Sequence, residues 1–303
     1  MALQCFQVSK FLSKGATLMF KEKVIETINK GYSSDKKVIV RRGNEKFIVR
    51  TFEGNQERRE QEVALLKKLE ELNANSLRVI SLEEGKMVTS YIEGEDAEEA
   101  ITKLPREAQY QIGVEASKDL RKIHLIQAPT NDWYERQSAK YRRYIERYQE
   151  LPLKVQDDEQ IMGYIEERLH LMKDRPNVLQ HDDFHLPNLI VKDGKYAGVI
   201  DFGRFDWGDP IWDFIKLGMF STEKSVPFAK GLIEGYYGGE PPKAFWDLYA
   251  LYLAMSVFSA IVWSQIQGEG DKLLKHVDRY IKDHKGFTQP VPVWYKSVKI
   301  EWL

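Results

Sequence analysis

The 303-residue chain contains one cysteine, Cys5, which excludes an intrachain disulfide and a cysteine-built zinc site and suits a reducing compartment. It also lacks a charge excess: 45 Lys and Arg against 46 Asp and Glu leave a net charge of -1. Nothing in that balance neutralises a phosphate backbone, so no nucleic-acid partner is expected. Long apolar runs are missing too. The most apolar stretch, Ala250 to Trp263, spans 14 residues and contains Ser256 and Ser259, too short for a bilayer and suited to a buried core helix. Met1 to Cys5 offers no charged segment followed by an apolar one, so no secretory signal and no membrane partner are expected. No internal repeat or low-complexity tract occurs. These absences leave a cytoplasmic globular protein, with 43% apolar and 30% charged residues to build it.

The first third alternates strand signals around one helix. Val24 to Ile28, Val38 to Val40 and Lys46 to Phe52 are β-branched or alternating runs, the last two joined by Arg42-Gly43-Asn44. Val63, Leu65, Leu66, Leu69 and Leu72 recur at helical spacing and predict an amphipathic helix from Gln56 to Leu72. Arg78 to Leu82 and Met87 to Tyr91 form a second hairpin around Glu84-Gly85. From Asp96 onward the pattern is helical except for one hairpin, in which Leu189 to Val191 turns at Asp193-Gly194 into Tyr196 to Phe202. The fold class is α+β: a small antiparallel sheet with one helix, a connector at Tyr91 to Gly94, and a larger, mainly helical part. A cleft is expected at the connector. The expected division is residues 1–20 as an N-terminal extension, 21–93 as the N-terminal lobe and 94–303 as the C-terminal lobe.

The chemistry concentrates on that late hairpin. His181-Asp182-Asp183-Phe184-His185-Leu186-Pro187-Asn188 ends where its first strand begins, and Asp201-Phe202-Gly203 follows its second strand. Folding the hairpin brings Asn188 and Asp201 together, an amide oxygen and a carboxylate suited to Mg²⁺. Asp183, on the preceding loop, can accept a proton from a hydroxyl. Phosphoryl transfer needs this combination of metal ligands and one orienting carboxylate.

With the further run Gly208-Asp209-Pro210-Ile211-Trp212-Asp213-Phe214, these motifs resemble the aminoglycoside phosphotransferase-like kinases, which have a protein-kinase-like fold. The likeness extends from about Val24 to Tyr295, including a Pro290 to Tyr295 tail similar to a bacterial subgroup of antibiotic kinases. It implies a two-lobed kinase fold with Asp183 as catalytic aspartate, Asn188 and Asp201 as Mg²⁺ ligands, and His181 as a loop-positioning residue. Asp209 and Asp213 would brace the loop after the metal site. Arg50 stands where the family carries a phosphate-binding lysine, with Glu62, or else Glu60, as its helical partner. Ser33 and Ser34 lie where a phosphate-covering loop belongs, although Gly31 is the only glycine of that loop. The Ser90 carbonyl and Ile92 N–H would meet the purine, leaving ATP and GTP unseparated. The expected activity is transfer of a γ-phosphoryl group to a hydroxyl of a small molecule, an aminoglycoside or alternatively choline, homoserine or a sugar, by a monomer or homodimer. A catalytically inactive pseudokinase is the rival reading, prompted by Arg50 and the glycine-poor loop.

Several other residues carry both a plain and a functional reading. His124 on a helix reads as a packing histidine, and His185 as a neighbour of the site. Trp207, Trp212, Trp246 and Trp263 read as core or as acceptor-pocket walls. Asp182, Asp206, Glu223, Glu269 and Asp271 are the carboxylates that could face a polycationic acceptor, or simply solvate the surface.

Overall fold

A computed structural model describes residues 23–29, 35–267 and 270–297. Its first unit is a five-stranded antiparallel sheet in the order β1-β2-β3-β5-β4. The strands are β1 (Lys23–Ile28), β2 (Lys36–Arg42), β3 (Glu45–Thr51), β4 (Val79–Glu83) and β5 (Lys86–Ser90). Val40, Val49 and Val88 make its small apolar centre, where β-branched side chains pack on the pleat. Helix α1 (Gln56–Glu71) lies after β3 and buries Leu65, Leu66 and Leu69, the stripe that its sequence spacing predicts.

Strand pairing changes partner across the connector. Glu95 and Asp96 form β6, which pairs with β8 (Leu189–Lys192), itself paired with β9 (Lys195–Val199). Gly94, at φ +148, makes that crossing possible, because a Cβ there would sit 2.5 Å from the Val191 carbonyl oxygen. The expected single hairpin is therefore one part of a three-stranded sheet. A second pair also escaped the sequence reading, β7 (Val178–Gln180) with β10 (Asp206–Gly208). Strands this short, buried or interrupted carry too few residues for a period to show.

The remainder is helical: α2 (Ala97–Ala100), α3 (Arg106–Ile123), α4 (Trp133–Glu150), α5 (Asp158–Arg168), α6 (Thr222–Lys224), α7 (Val226–Tyr237), α8 (Lys243–Gln267), α9 (Gly270–Asp283) and α10 (Val293–Ser297). Helices α3 and α7 pack backbone to backbone, since a Cβ on Gly231 would lie 2.1 Å from the Tyr110 carbonyl oxygen. Helix α8 is long and apolar enough to cross a membrane, but 89% of its apolar window is buried inside the protein. It is the central core helix, with Tyr249 to Ala254 inaccessible to solvent. Trp246 is also core, packed on Tyr249 and Tyr295.

His284, after α9, is fully buried between Tyr249 and Phe287, and its Nδ1 lies 3.1 Å from the Gln289 carbonyl oxygen. Burial pushes its pKa down to about 4, partly opposed by that hydrogen bond. The unfolded imidazole, near 6.5, takes up a proton that the native one refuses, so stability is lost as pH falls from about 6.5 toward 4. Urea unfolding at pH 7 and pH 5 should show about 2 kcal/mol less stability at the lower pH from this residue, a component absent in His284→Gln.

Candidate active site

The ends of the β8–β9 hairpin are joined by the backbone itself: the Ile200 N–H donates to the Asn188 carbonyl at 2.9 Å. This bond places Asn188 and Asp201 side by side, as their flanking sequence predicts. Asn188 sits in a single 3-10 turn, Leu186–Asn188, and its Nδ2 donates to both the carbonyl of Asp183 (2.8 Å) and its carboxylate (3.1 Å). With the amide nitrogen committed, Oδ1 is the atom left for a cation. Asp201 adopts φ 65, ψ 64, an uncommon backbone state for a non-glycine residue. Burial would raise its pKa, but the Lys37 ammonium, 3.1 Å away, holds it below the usual carboxylate range.

Asp183 is partly buried, and burial again opposes its charge. The His185 imidazole at 3.4 Å and the Lys216 ammonium at 3.6 Å outweigh that cost and hold the carboxyl well below its ordinary value. His181 is fully buried, receives the Asp183 N–H on Nδ1 (3.3 Å) and gives Nε2–H to the Ile200 carbonyl (3.0 Å). Those two bonds select the Nε2–H tautomer and tie the Asp183 loop to the hairpin end.

A second carboxylate holds the loop from behind. Asp213 accepts the N–H groups of His181 (2.9 Å) and Asp182 (2.7 Å) and also meets His124 Nε2 at 3.1 Å. His124 Nδ1 faces the Tyr236 hydroxyl at 2.8 Å, which donates to it when Nε2–H serves Asp213, so its packing role extends to bracing the site. Asp209 caps the 3-10 segment Pro210–Phe214 through the Ile211 N–H and accepts from Arg175 and Tyr252. Asp182, with φ 61, occupies a left-handed backbone position. Aspartate is among the few non-glycine residues that tolerate this conformation.

In the N-terminal lobe, Arg50 and Glu62 form a buried bidentate pair, Nη1–Oε1 2.9 Å and Nη2–Oε2 2.8 Å. Glu60 is exposed and accepts only Gln56, so Glu62 is the partner. Asp35 takes Arg50 Nε at 2.7 Å, and Arg59 bridges Asp35 and Glu62. Two guanidinium groups and two carboxylates thus form a cluster of balanced charge. Lys37, opposite Arg50 in the β2–β3 register, reaches Asp201 instead. Sequence reasoning missed Lys37 because it follows the conventional lysine position, and strand pairing alone puts Lys37 beside it. Lys216 was missed because it lies on no motif.

Arg58 on α1 stacks on Phe205 at 3.3 Å and donates to the Phe205 carbonyl, fastening the helix to the loop after Asp201. Ser90 ends β5 and exchanges two hydrogen bonds with the Arg78 backbone, both 2.8 Å. Ile92 lies against β9, its Cδ1 only 2.8 Å from where a Cβ on Gly198 would be. The connector therefore passes over the hairpin that carries Asn188 and Asp201. Ser33, Ser34 and residues 1–20 lie outside the described residues, as do Glu269 and the side chain of Asp271.

Residues 24–246 match the sequence model of the phosphotransferase enzyme family. The chain belongs to that family. Solved structures agree on the fold of this phosphotransferase. The gentamicin complex of the aminoglycoside phosphotransferase APH(2")-IIa superposes with a TM-score of 0.62 at 19% identity, over 90% of this chain and 94% of that one. A choline/ethanolamine kinase family protein from Mesorhizobium loti gives 0.64 at 19% identity over 92% of each chain. A thermostable mutant of APH(4)-Ia gives 0.63 at 12% identity, over 87% of this chain and 96% of that one. Among curated proteins, none matches the sequence significantly. The phosphotransferase thus has the two-lobed, kinase-like α+β architecture that its motifs imply.

Asp213→Ala strands two buried N–H donors and unpairs His124. It should cost roughly 3–5 kcal/mol in urea unfolding and lower turnover by displacing Asp183. A variant with wild-type stability and turnover would remove Asp213 from its bracing role.

Proposed function

We propose that this phosphotransferase is a kinase that moves the γ-phosphoryl group of ATP or GTP to a hydroxyl of a small molecule. The observation that carries the reading is the Asn188–Ile200 backbone bond, which joins the hairpin ends bearing Asn188, bonded to Asp183, and Asp201, bonded to Lys37. Asp183 orients the acceptor hydroxyl and receives its proton as the oxygen bonds to the γ-phosphorus. The bond from that phosphorus to the β–γ bridging oxygen breaks, and the nucleoside diphosphate leaves.

The donor set fits Mg²⁺: an ionised carboxylate and an amide oxygen are hard ligands, and Mg²⁺ on triphosphates commonly takes only one or two protein groups. Asn188 Oδ1 and Asp201 would hold it. When bound, it would neutralise charge on the phosphate oxygens. Ionised Asp183 and Asp201 also weigh against a pseudokinase, since both carboxyls keep their charge at neutral pH.

The N-terminal cations divide the work. Arg50, surrounded by Glu62 and Asp35, sets the geometry of the sheet and α1, and Lys37 brings the net positive charge to the phosphates. Ser90 and Ile92 present backbone groups to the purine, and Ser33 and Ser34 cover the phosphates.

For the acceptor, an aminoglycoside is the reading suggested by the family, and a metabolite is the second. The structure favours the second through the carboxylates that would bind a polycation. Asp206 is paired with Arg136, Glu223 with His276 and Arg279, and Asp182 with the Trp212 indole.

NTP consumption coupled to a panel of aminoglycosides, choline, sugars and hydroxy acids tests the reaction, with ATP and GTP run separately. Asp183→Ala should lower acceptor-dependent turnover about 10²–10⁴-fold. Full turnover by that variant would end its catalytic assignment. Lys37→Met should lower kcat/KM for the nucleotide about 100-fold, more than Arg50→Lys does. The opposite order, with both variants folded, would return the phosphate contact to Arg50.

A further inference from the structure

Helix α4 carries Lys140, Arg143, Tyr144 and Arg147 at i, i+3, i+4 and i+7, which places them on one face. These four residues line a cavity of about 280 Å³. Among the described residues, no carboxylate forms an ion pair with Lys140, Arg143 or Arg147. Arg136, one turn earlier on the same helix, shows the contrast: Asp132 and Asp206 both engage it.

The basic face is continuous with the catalytic loop. The Lys140 ammonium lies over the Trp212 ring, 5.5 Å from its centroid, and the Trp212 indole N–H donates to Asp182 at 2.8 Å. Asp182 adjoins Asp183, whose carboxylate meets Lys216 at 3.6 Å. The charges of Lys216 and Lys140 both act on Asp182. Positive charge therefore extends along α4 from the Lys140–Trp212 contact beside Asp182, while Asp182 and Asp183 are already engaged.

From this arrangement we infer that the acceptor is an anion: a small hydroxyl compound bearing a phosphate ester or carboxylate, its charged group held by Lys140, Arg143, Tyr144 and Arg147. The inference rests on the kinase reading above. Guanidinium forks match the paired oxygens of either group, and the tyrosine hydroxyl adds a neutral donor. A polycation placed there would meet like charges, so the same face that attracts an acidic acceptor rejects an aminoglycoside.

The test is calorimetric titration of the full chain, with its nucleotide site saturated by a non-hydrolysable ATP analogue and Mg²⁺. The probes are glucose 6-phosphate, gluconate, kanamycin and choline. Glucose 6-phosphate or gluconate should bind, more weakly as ionic strength rises, and whichever binds tells phosphate from carboxylate. Arg143→Glu combined with Arg147→Glu should weaken that binding at least about 10-fold while keeping the wild-type melting temperature, because both side chains are exposed. Binding of kanamycin or choline, failure of both anions to bind, or anion binding indifferent to the charge reversals overturns the inference. The two readings fail separately. Turnover indifferent to Asp183→Ala removes the kinase, whereas Asp183-dependent turnover on a cationic acceptor removes only the anionic one.

Discussion

The site depends on keeping ionised carboxylates in places that burial would otherwise make them neutral. Asp183 and Asp201 both lose solvent, and in each case a neighbouring donor more than offsets the loss: His185 and Lys216 for one, Lys37 for the other. Asp213 is held by two backbone N–H groups and His124, and Asp209 by Arg175, Tyr252 and the Ile211 N–H. His185 and the Ile211 N–H are local, but Lys37, Lys216, Arg175, Tyr252 and His124 all come from distant parts of the chain. The catalytic loop is therefore rigid only when both lobes and the helices behind it are assembled, and its charge state is a property of the whole fold.

The N-terminal lobe shows how substitution at one position redistributes charge. A lysine has a single ammonium to share, whereas the Arg50 guanidinium presents several donors along a planar fork. Glu62 takes two of those donors and Asp35 faces a third, and Arg59 completes the balance. The resulting cluster is well suited to fixing α1 against the sheet, and it leaves no uncompensated charge of its own. Lys37, on the neighbouring strand and at the same level of the sheet, faces Asp201 from above. Moving the cation by one strand preserves the height of the charge over the hairpin while changing the residue that carries it.

Much of this was legible before any coordinates. The hairpin, the α1 stripe and the His181 to Asn188 loop follow from local pattern, because turn chemistry, helical period and motif spacing are properties of short segments; Asp209 and Asp213 as bracing acids came from the family resemblance. The preference for Glu62 over Glu60 came from the family resemblance, and Glu62 is the one that is buried and paired with Arg50. The pair β7–β10 and the strand β6 were not legible, since each has three residues or fewer and is defined by a partner far along the chain.

The sequence by itself determined which residues can do chemistry and which segments they sit on, because residue type and periodicity act over a few positions. Tertiary structure alone decided which charges meet. Lys37 became the cation over Asp201, Arg50 was enclosed, Asp206 and Glu223 gained cationic partners, and α4 was left with a basic face. Charge compensation acts across space between residues distant in the chain, here 164 positions apart for Lys37 and Asp201, and no local pattern records it.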